Sequence, residues 1–150
     1  MQSTMTACPG SLVTGDHRRT GEVEMETTAR AVDRRSDELG KRGEDLAAEY
    51  LAGTGLVLLS RNWRCRDGEI DLVATDGERL VVCEVKTRSA TGYGEPSEGV
   101  TLAKAARIRR VAAAWLRTYR VGWCEVRFDV LSVLCPPDGP CTVEHLQGAF

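Results

Sequence analysis

Apolar residues return at helical spacing in one early stretch of the chain and at strand spacing in the next. Leu39, Gly43, Leu46, Ala47, Tyr50 and Leu51 share one helical face, and Gly53 and Gly55 end the run. Ser36 offers an N-cap, with Asp37 and Glu38 in the first turn. Three β-branched, apolar stretches follow at about 56–65, 69–75 and 79–87 and predict strands. The segment "SATGYGEPSEG" reads as a flexible link to a second helix over about 98–119, whose buried side carries Ile108, Val111, Ala112, Trp115 and Tyr119. A strand over about 123–134, the turn "CPPDGP" and a weak last strand, "CTVEHL", close the chain. The order α-β-β-β-α-β-β predicts a mixed α/β domain with its helices against a sheet.

Charges interrupt the third strand. In "LVVCEVKTR", Glu84 and Lys86 stand two residues apart and therefore point to one face, opposite Val81, Cys83 and Val85. The dipeptide Asp76-Gly77 between two apolar runs predicts a two-residue type I′ hairpin. That turn would set Thr75 opposite Glu78, Asp71 opposite Val82 and Glu69 opposite Glu84, so that Glu69, Asp71, Glu84 and Lys86 emerge together. Three carboxylates on one sheet face repel unless something compensates them. A divalent cation is one solution. Mg²⁺ takes hard oxygen ligands, commonly one or two carboxylates, and Asp71, Glu84 and the main-chain carbonyl of Val85 are the candidate set. A cross-strand ion pair through Lys86 is the plainer alternative.

Two helical residues bear on the same cluster. Glu44 aligns with Gly40, Ala47 and Leu51 at the edge of the apolar stripe, either as a boundary residue or as a further acid reaching the metal, directly or through water. Lys104 lies in line with Ile108, Val111 and Trp115, placed either to pin a phosphate or to cover apolar surface with its stem.

Composition limits the rest. The chain has 150 residues, suited to one domain with its own core. Residues 1–35 are polar, lack apolar periodicity and read as a disordered arm, with the folded domain over 36–150; translation from Met25 would remove no predicted element. No apolar run approaches the roughly 20 residues of a membrane span, and the N-terminus has no secretory pattern, so a cytoplasmic protein is expected. The six cysteines form no C-x-x-C pair and no zinc spacing with His17 or His145, and are expected as reduced thiols. The net charge of −2 hides a basic stretch: Lys104, Arg107, Arg109, Arg110, Arg117 and Arg120 occur between Gly99 and Arg120 without an acid, and Arg61, Arg64 and Arg66 form a second group. Such a face is either solvated or turned toward a polyanion. No helix-turn-helix or zinc module for reading bases is present.

The segments "GKRGEDLAAEYL", "RNWRCRDGEIDLVA", "VVCEVKTR", the Lys104 helix and "VRFDVLSV", in this order, resemble the PD-(D/E)XK nuclease superfamily. Within it they are most similar to the YraN-like family of uncharacterised bacterial endonuclease-like proteins, related to archaeal Holliday-junction resolvases. Ile70 stands where the superfamily often has Pro. The resemblance implies a restriction-endonuclease-like αβββαβ core with a mixed central sheet, and a Mg²⁺- or Mn²⁺-dependent endonuclease. Asp71 and Glu84 would bind the metal with help from Glu44, and Lys86 would orient or deprotonate the attacking water. Thr87, Arg88, Lys104 and Arg107 would contact nucleic-acid phosphates. DNA, branched or structured, is the expected substrate rather than RNA, and a homodimer the expected assembly on a two-fold substrate. The alternatives are a non-catalytic nucleic-acid-binding module of the same fold and an RNA-directed nuclease. Asp129 is left either as a partner for Arg127 or as an outer part of the site.

Overall fold

The computed structural model describes residues 19–90 and 99–150, with side chains from residue 28 onward. The chain divides into two compact units, Met1–Arg34 and Arg35–Phe150. The elements are α1 (Arg19–Gly53), β1 (Val57–Cys65), β2 (Gly68–Thr75), β3 (Arg79–Arg88), α2 (Leu102–Thr118), β4 (Glu125–Leu134) and β5 (Thr142–Leu146). This is the predicted order, a mixed α/β fold compatible with an αβββαβ core.

Helix α1 starts at Arg19 rather than at Ser36. Residues 28–38 are exposed, so no apolar stripe marks this part of the helix. Its sequence is rich in Ala, Arg and Glu, which favour helix without any packing partner. The remainder of the expected arm, residues 1–18, and most of the expected flexible link, residues 91–98, lie outside the described residues.

The five strands lie in the order β1-β2-β3-β4-β5. Only β3 and β4 are parallel, and α2 makes the crossover that such a pair requires. Each sheet face has its own core. Ala47, Ala48 and Leu51 of α1 pack on Leu72, Val81, Cys83, Leu131 and Val133. Ile108, Val111, Ala112 and Trp115 of α2 pack on Ile70, Val73, Leu80, Val82 and Phe128. A methyl group on Gly43 would collide with the side chain of Thr87, so the absent side chain lets α1 approach β3 closely.

The β2–β3 turn departs from the two-residue form. The outermost β2–β3 ladder pair is Thr75↔Leu80, which leaves Asp76, Gly77, Glu78 and the first residue of β3, Arg79, between the paired ends. Asp76 Oδ1 accepts the N–H groups of Glu78 at 3.0 Å and Arg79 at 2.8 Å, and Thr75 Oγ1 donates to the Arg79 carbonyl at 2.8 Å. Asp76 thus builds a wider turn through its own carboxylate, and Gly77 takes the positive φ of 97°. The register therefore moves by two residues from the expected one. Because strand faces repeat every second residue, an even shift exchanges partners without exchanging faces.

The hairpin of β4 and β5 corrects a second expectation. Its outermost pair is Leu134↔Thr142, so the next residues outward, Cys135 and Cys141, face each other. They form a disulfide with Cα atoms 4.2 Å apart, where reduced thiols were expected. Proximity is created by the strand register, which cysteine spacing alone does not reveal. Cys65, Cys83 and Cys124 are free, and Cys8 lies outside the described residues.

Candidate functional site

Strands β2 and β3 run side by side from Thr75↔Leu80 to Leu72↔Cys83, and the ladder ends there although both strands continue. Beyond this point β2 stays with β1, through Trp63↔Ile70 and Cys65↔Gly68, while β3 stays with β4, through Arg88↔Leu134. Side-chain alternation in β2 also breaks here. Ile70 packs in the α2 core and Leu72 in the α1 core, although residues two apart in a regular strand share a face. The sheet opens at Asp71.

Asp71 fills the place of the missing ladder bond. Its Oδ2 accepts the Val85 N–H at 2.7 Å. Continuing the register by one pair sets Asp71 opposite Glu84, where the sequence reading set it diagonally. Burial, then the neighbouring Glu84 charge, push the Asp71 pKa up to about 7, against the help of the Val85 N–H; Glu44 and Glu69 add to the rise.

Glu84 is buried on the α2 side of the sheet. Its Oε1 accepts a short hydrogen bond from Lys104 Nζ and lies 3.6 Å from Lys86 Nζ. Lys104 sits in the first turn of α2, where Thr101 caps the helix by accepting the Lys104 N–H at 3.1 Å. That turn contains no acid, and an ammonium at a helix N-terminus opposes the helix dipole. Glu84 offsets this placement. Burial works against the Lys104 charge, but the Glu84 carboxylate and Lys86 outweigh it and its pKa is raised. Burial, and then Lys104, hold Lys86 below the ordinary lysine range despite Glu84. The two amines are thus differentiated, one a firm cation and the other readier to give up its proton.

The structure therefore brings Asp71, Glu84, Lys86 and Lys104 together. Glu44, on α1, is near enough for its charge to act on Asp71, and its Oε2 accepts from Asn62 Nδ2 at 2.9 Å. Glu69 also acts on Asp71 through its charge, and it pairs with its cross-strand neighbour, Arg64, at 2.9 Å. Arg107 is exposed and lies over Gly68, whose φ is 144°. Thr87 is turned against Gly43 of α1. With Arg88 it lines a groove of about 430 Å³ beside Leu39, Ser89 and Ala90, apart from Lys104 and Arg107. Asn62 was not anticipated. Its signal in the sequence is a turn-favouring residue inside a strand pattern.

Asp129 belongs to another network. It is completely buried next to Cys83 of β3. It accepts from Arg127 Nε and Nη2 at 2.8 Å each, meets His145 Nε2 at 2.7 Å and takes the Gly148 N–H at 2.9 Å. Burial opposes its charge, yet these donors, Arg127 foremost, hold its pKa below the usual carboxylate range. It is the partner of Arg127 and ties the chain end to β4.

Asp71 and Glu84 supply hard anionic oxygens where the sheet opens, and the Asp71 pKa is raised first by burial and then by the Glu84 charge, both of which a nearby divalent cation would offset. Among the described residues, no three His, Cys, Asp or Glu side chains stand ready around one point. A cation here would have two carboxylate ligands at most from Asp71 and Glu84, and other oxygens would have to complete its shell.

The uncharacterised protein family UPF0102 matches residues 43–133. A UPF0102 protein of Frankia casuarinae is 58% identical over 117 residues, covering 78% of this chain and 99% of its own length. One from Acidothermus cellulolyticus is 51% identical over 123 residues, covering 75% and 92%. The chain belongs to the UPF0102 family. The matched stretch of UPF0102 holds Glu44, Asn62, Asp71, Glu84, Lys86 and Lys104, whereas the disulfide and His145 lie beyond it. Among the described residues, no helix of this UPF0102 protein is long and apolar enough to cross a membrane.

Proposed function

We propose that this UPF0102 protein is a cytoplasmic, Mg²⁺- or Mn²⁺-dependent endonuclease of the PD-(D/E)XK type, acting on DNA and preferentially on branched DNA. The observation that carries the reading is the opening of β2 from β3 at Asp71, which leaves the Asp71 carboxylate on the Val85 N–H, within reach of the Glu84 charge, and Glu84 beside two lysines. Asp71 and Glu84 would hold the cation, with the Val85 carbonyl as a further oxygen and Glu44 assisting. When bound, the cation would neutralise charge on the scissile phosphate and acidify water.

The chain's own groups divide the remaining work. Lys86, with its depressed pKa, is suited to accept a proton from the attacking water. Lys104, the firmer cation, is suited to bind a phosphate oxygen. Arg107, one turn further along α2, would grip the neighbouring backbone phosphate. The preference for branched DNA and a dimeric assembly rests on the resemblance to resolvases.

The decisive experiment is Mn²⁺-dependent cleavage of a panel of linear, flapped and four-way DNA substrates with matched RNA junctions. Asp71→Asn and Glu84→Gln should each lower cleavage about 100-fold or more while leaving the fold intact. Cleavage of the RNA junctions alone would move the substrate to RNA. Binding without cleavage in every metal would favour a non-catalytic nucleic-acid-binding module. One observation favours that second reading: Lys104 and Lys86 already neutralise Glu84.

A further inference from the structure

Asn62 has two features that a strand does not require. Its φ is 49°, and among the described residues only Asn62 and Arg120 take a positive φ without being glycine. Its side chain leaves the sheet, with Nδ2 donating to Glu44 Oε2 of α1 at 2.9 Å. It falls between the pairs Arg61↔Leu72 and Trp63↔Ile70, and so stands across the ladder from Asp71. The preceding residue makes a parallel contact, Arg61 to Asp45. Adjacent residues of β1 therefore grip adjacent residues of α1. Lys41, Glu44, Asp45, Arg61 and Asn62 line a groove of about 560 Å³ there.

We infer that Asn62 is a positioning residue: its amide holds the Glu44 carboxylate toward Asp71, and the left-handed turn of β1 aims that amide. The choice of donor is informative. An Arg or Lys at this position would neutralise Glu44, whereas an amide satisfies one carboxylate oxygen and leaves the full negative charge for a cation. Asn is also among the side chains that best tolerate left-handed backbone. The Arg61–Asp45 contact is the complementary device, a charge pair that anchors the helix without adding charge to the site. This inference rests on the divalent-cation reading of Asp71 and Glu84.

The test is a double-mutant cycle of Asn62→Gly and Glu44→Gln, read as Mn²⁺ affinity by calorimetry and as melting temperature without metal. Glycine accepts the same φ at no steric cost, so N62G should melt at or above the wild-type temperature. Its Mn²⁺ affinity should fall about tenfold, the scale of losing an outer-shell partner. The double variant should bind no more weakly than E44Q alone, because both changes remove one arrangement. Unchanged Mn²⁺ affinity in N62G, fully additive losses, or a melting temperature that falls with the affinity would each overturn the positioning role. In those cases wild-type binding would still support the cation reading. Absence of Mn²⁺ binding to the wild type would overturn both.

Discussion

Asp71 Oδ2 accepts the Val85 N–H at 2.7 Å at the point where β2 and β3 part. A side-chain oxygen thus takes a donor that a regular ladder would give to a backbone carbonyl. The bond satisfies β3 after its neighbour has left and fixes the carboxylate beside Glu84. The same contact ends the hairpin and begins the site.

Its pH dependence follows from the raised Asp71 pKa. Between the unfolded value of 3.8 and about 7, the native state binds a proton that the unfolded chain has lost. Stability from this group is therefore complete below the unfolded pKa and is lost as pH rises through the folded one, at up to about 1.4 kcal/mol per pH unit. Asp71→Asn keeps an acceptor for Val85 and removes the titration. Urea denaturation should show the variant more stable than wild type by about 1–3 kcal/mol at pH 8, with the gap closing toward pH 4. Mn²⁺ at pH 8 should stabilise the wild type and not the variant. A stability difference that is flat with pH would contradict the assignment.

Lys104→Met tests the other side of the site. It leaves Glu84, buried on β3, with only the more distant Lys86. Removing one partner of a buried, hydrogen-bonded charge pair destabilises more than removing both. A loss of about 1–3 kcal/mol is expected at neutral pH, and adding Glu84→Gln should restore part of it. Chemical denaturation of the two single variants and the double variant measures the coupling. Equal, additive losses would show that Lys104 and Glu84 act independently.

How far these features could be read from the sequence varied with the kind of interaction that sets them. Element order followed from the apolar pattern, because β2, β3 and β4 carry the apolar runs of strands buried on both faces and α2 buries one helical face. The expected turn put Asp71 opposite Val82, two residues from the observed register, and the break in β2 alternation at Asp71 is a feature that a regular strand pattern does not contain. The ion pair of Glu69 with Arg64 is set by β1, whose pairing the Asp76-Gly77 turn does not govern. Residues 28–38 of α1 are exposed, so periodicity does not mark them as helix. The Cys135–Cys141 bond and the Asn62–Glu44 contact depend on backbone register and left-handed φ, which residue type only weakly foreshadows.

The close approach of α1 to β3 gives a third prediction. Gly43→Ala drives a methyl group into Thr87 and should cost about 1–3 kcal/mol, the range for overpacking a filled core. Thr87→Ala in the same chain removes the Oγ1 and Cγ2 contacts and should recover part of that loss. Thermal melting of the single and double variants is sufficient. If Gly43→Ala is neutral, the helix can shift away from the strand, and Glu44, one residue on, should then show altered Mn²⁺ binding.

The Asp129 network yields a prediction independent of any cation. Asp129 is fully buried and held charged by Arg127, His145 and the Gly148 N–H. Its pKa is depressed, so its contribution is present above the unfolded value and is lost as pH falls through the folded one. Asp129→Asn leaves Arg127 without its counter-charge and should cost about 3 kcal/mol at pH 7. The difference from wild type should shrink in acid, where the wild-type carboxylate is itself protonated. Because Gly148 is tied to Asp129 and Ala149 N donates to the Phe128 carbonyl at 2.8 Å, hydrogen exchange at these two amides should accelerate in the variant. Mn²⁺ affinity should be unchanged, since the network lies on the α1 side of the sheet and Glu84 on the α2 side. A concurrent loss of Mn²⁺ binding would instead connect the two networks through the β3–β4 pairs Cys83↔Asp129 and Glu84↔Val130.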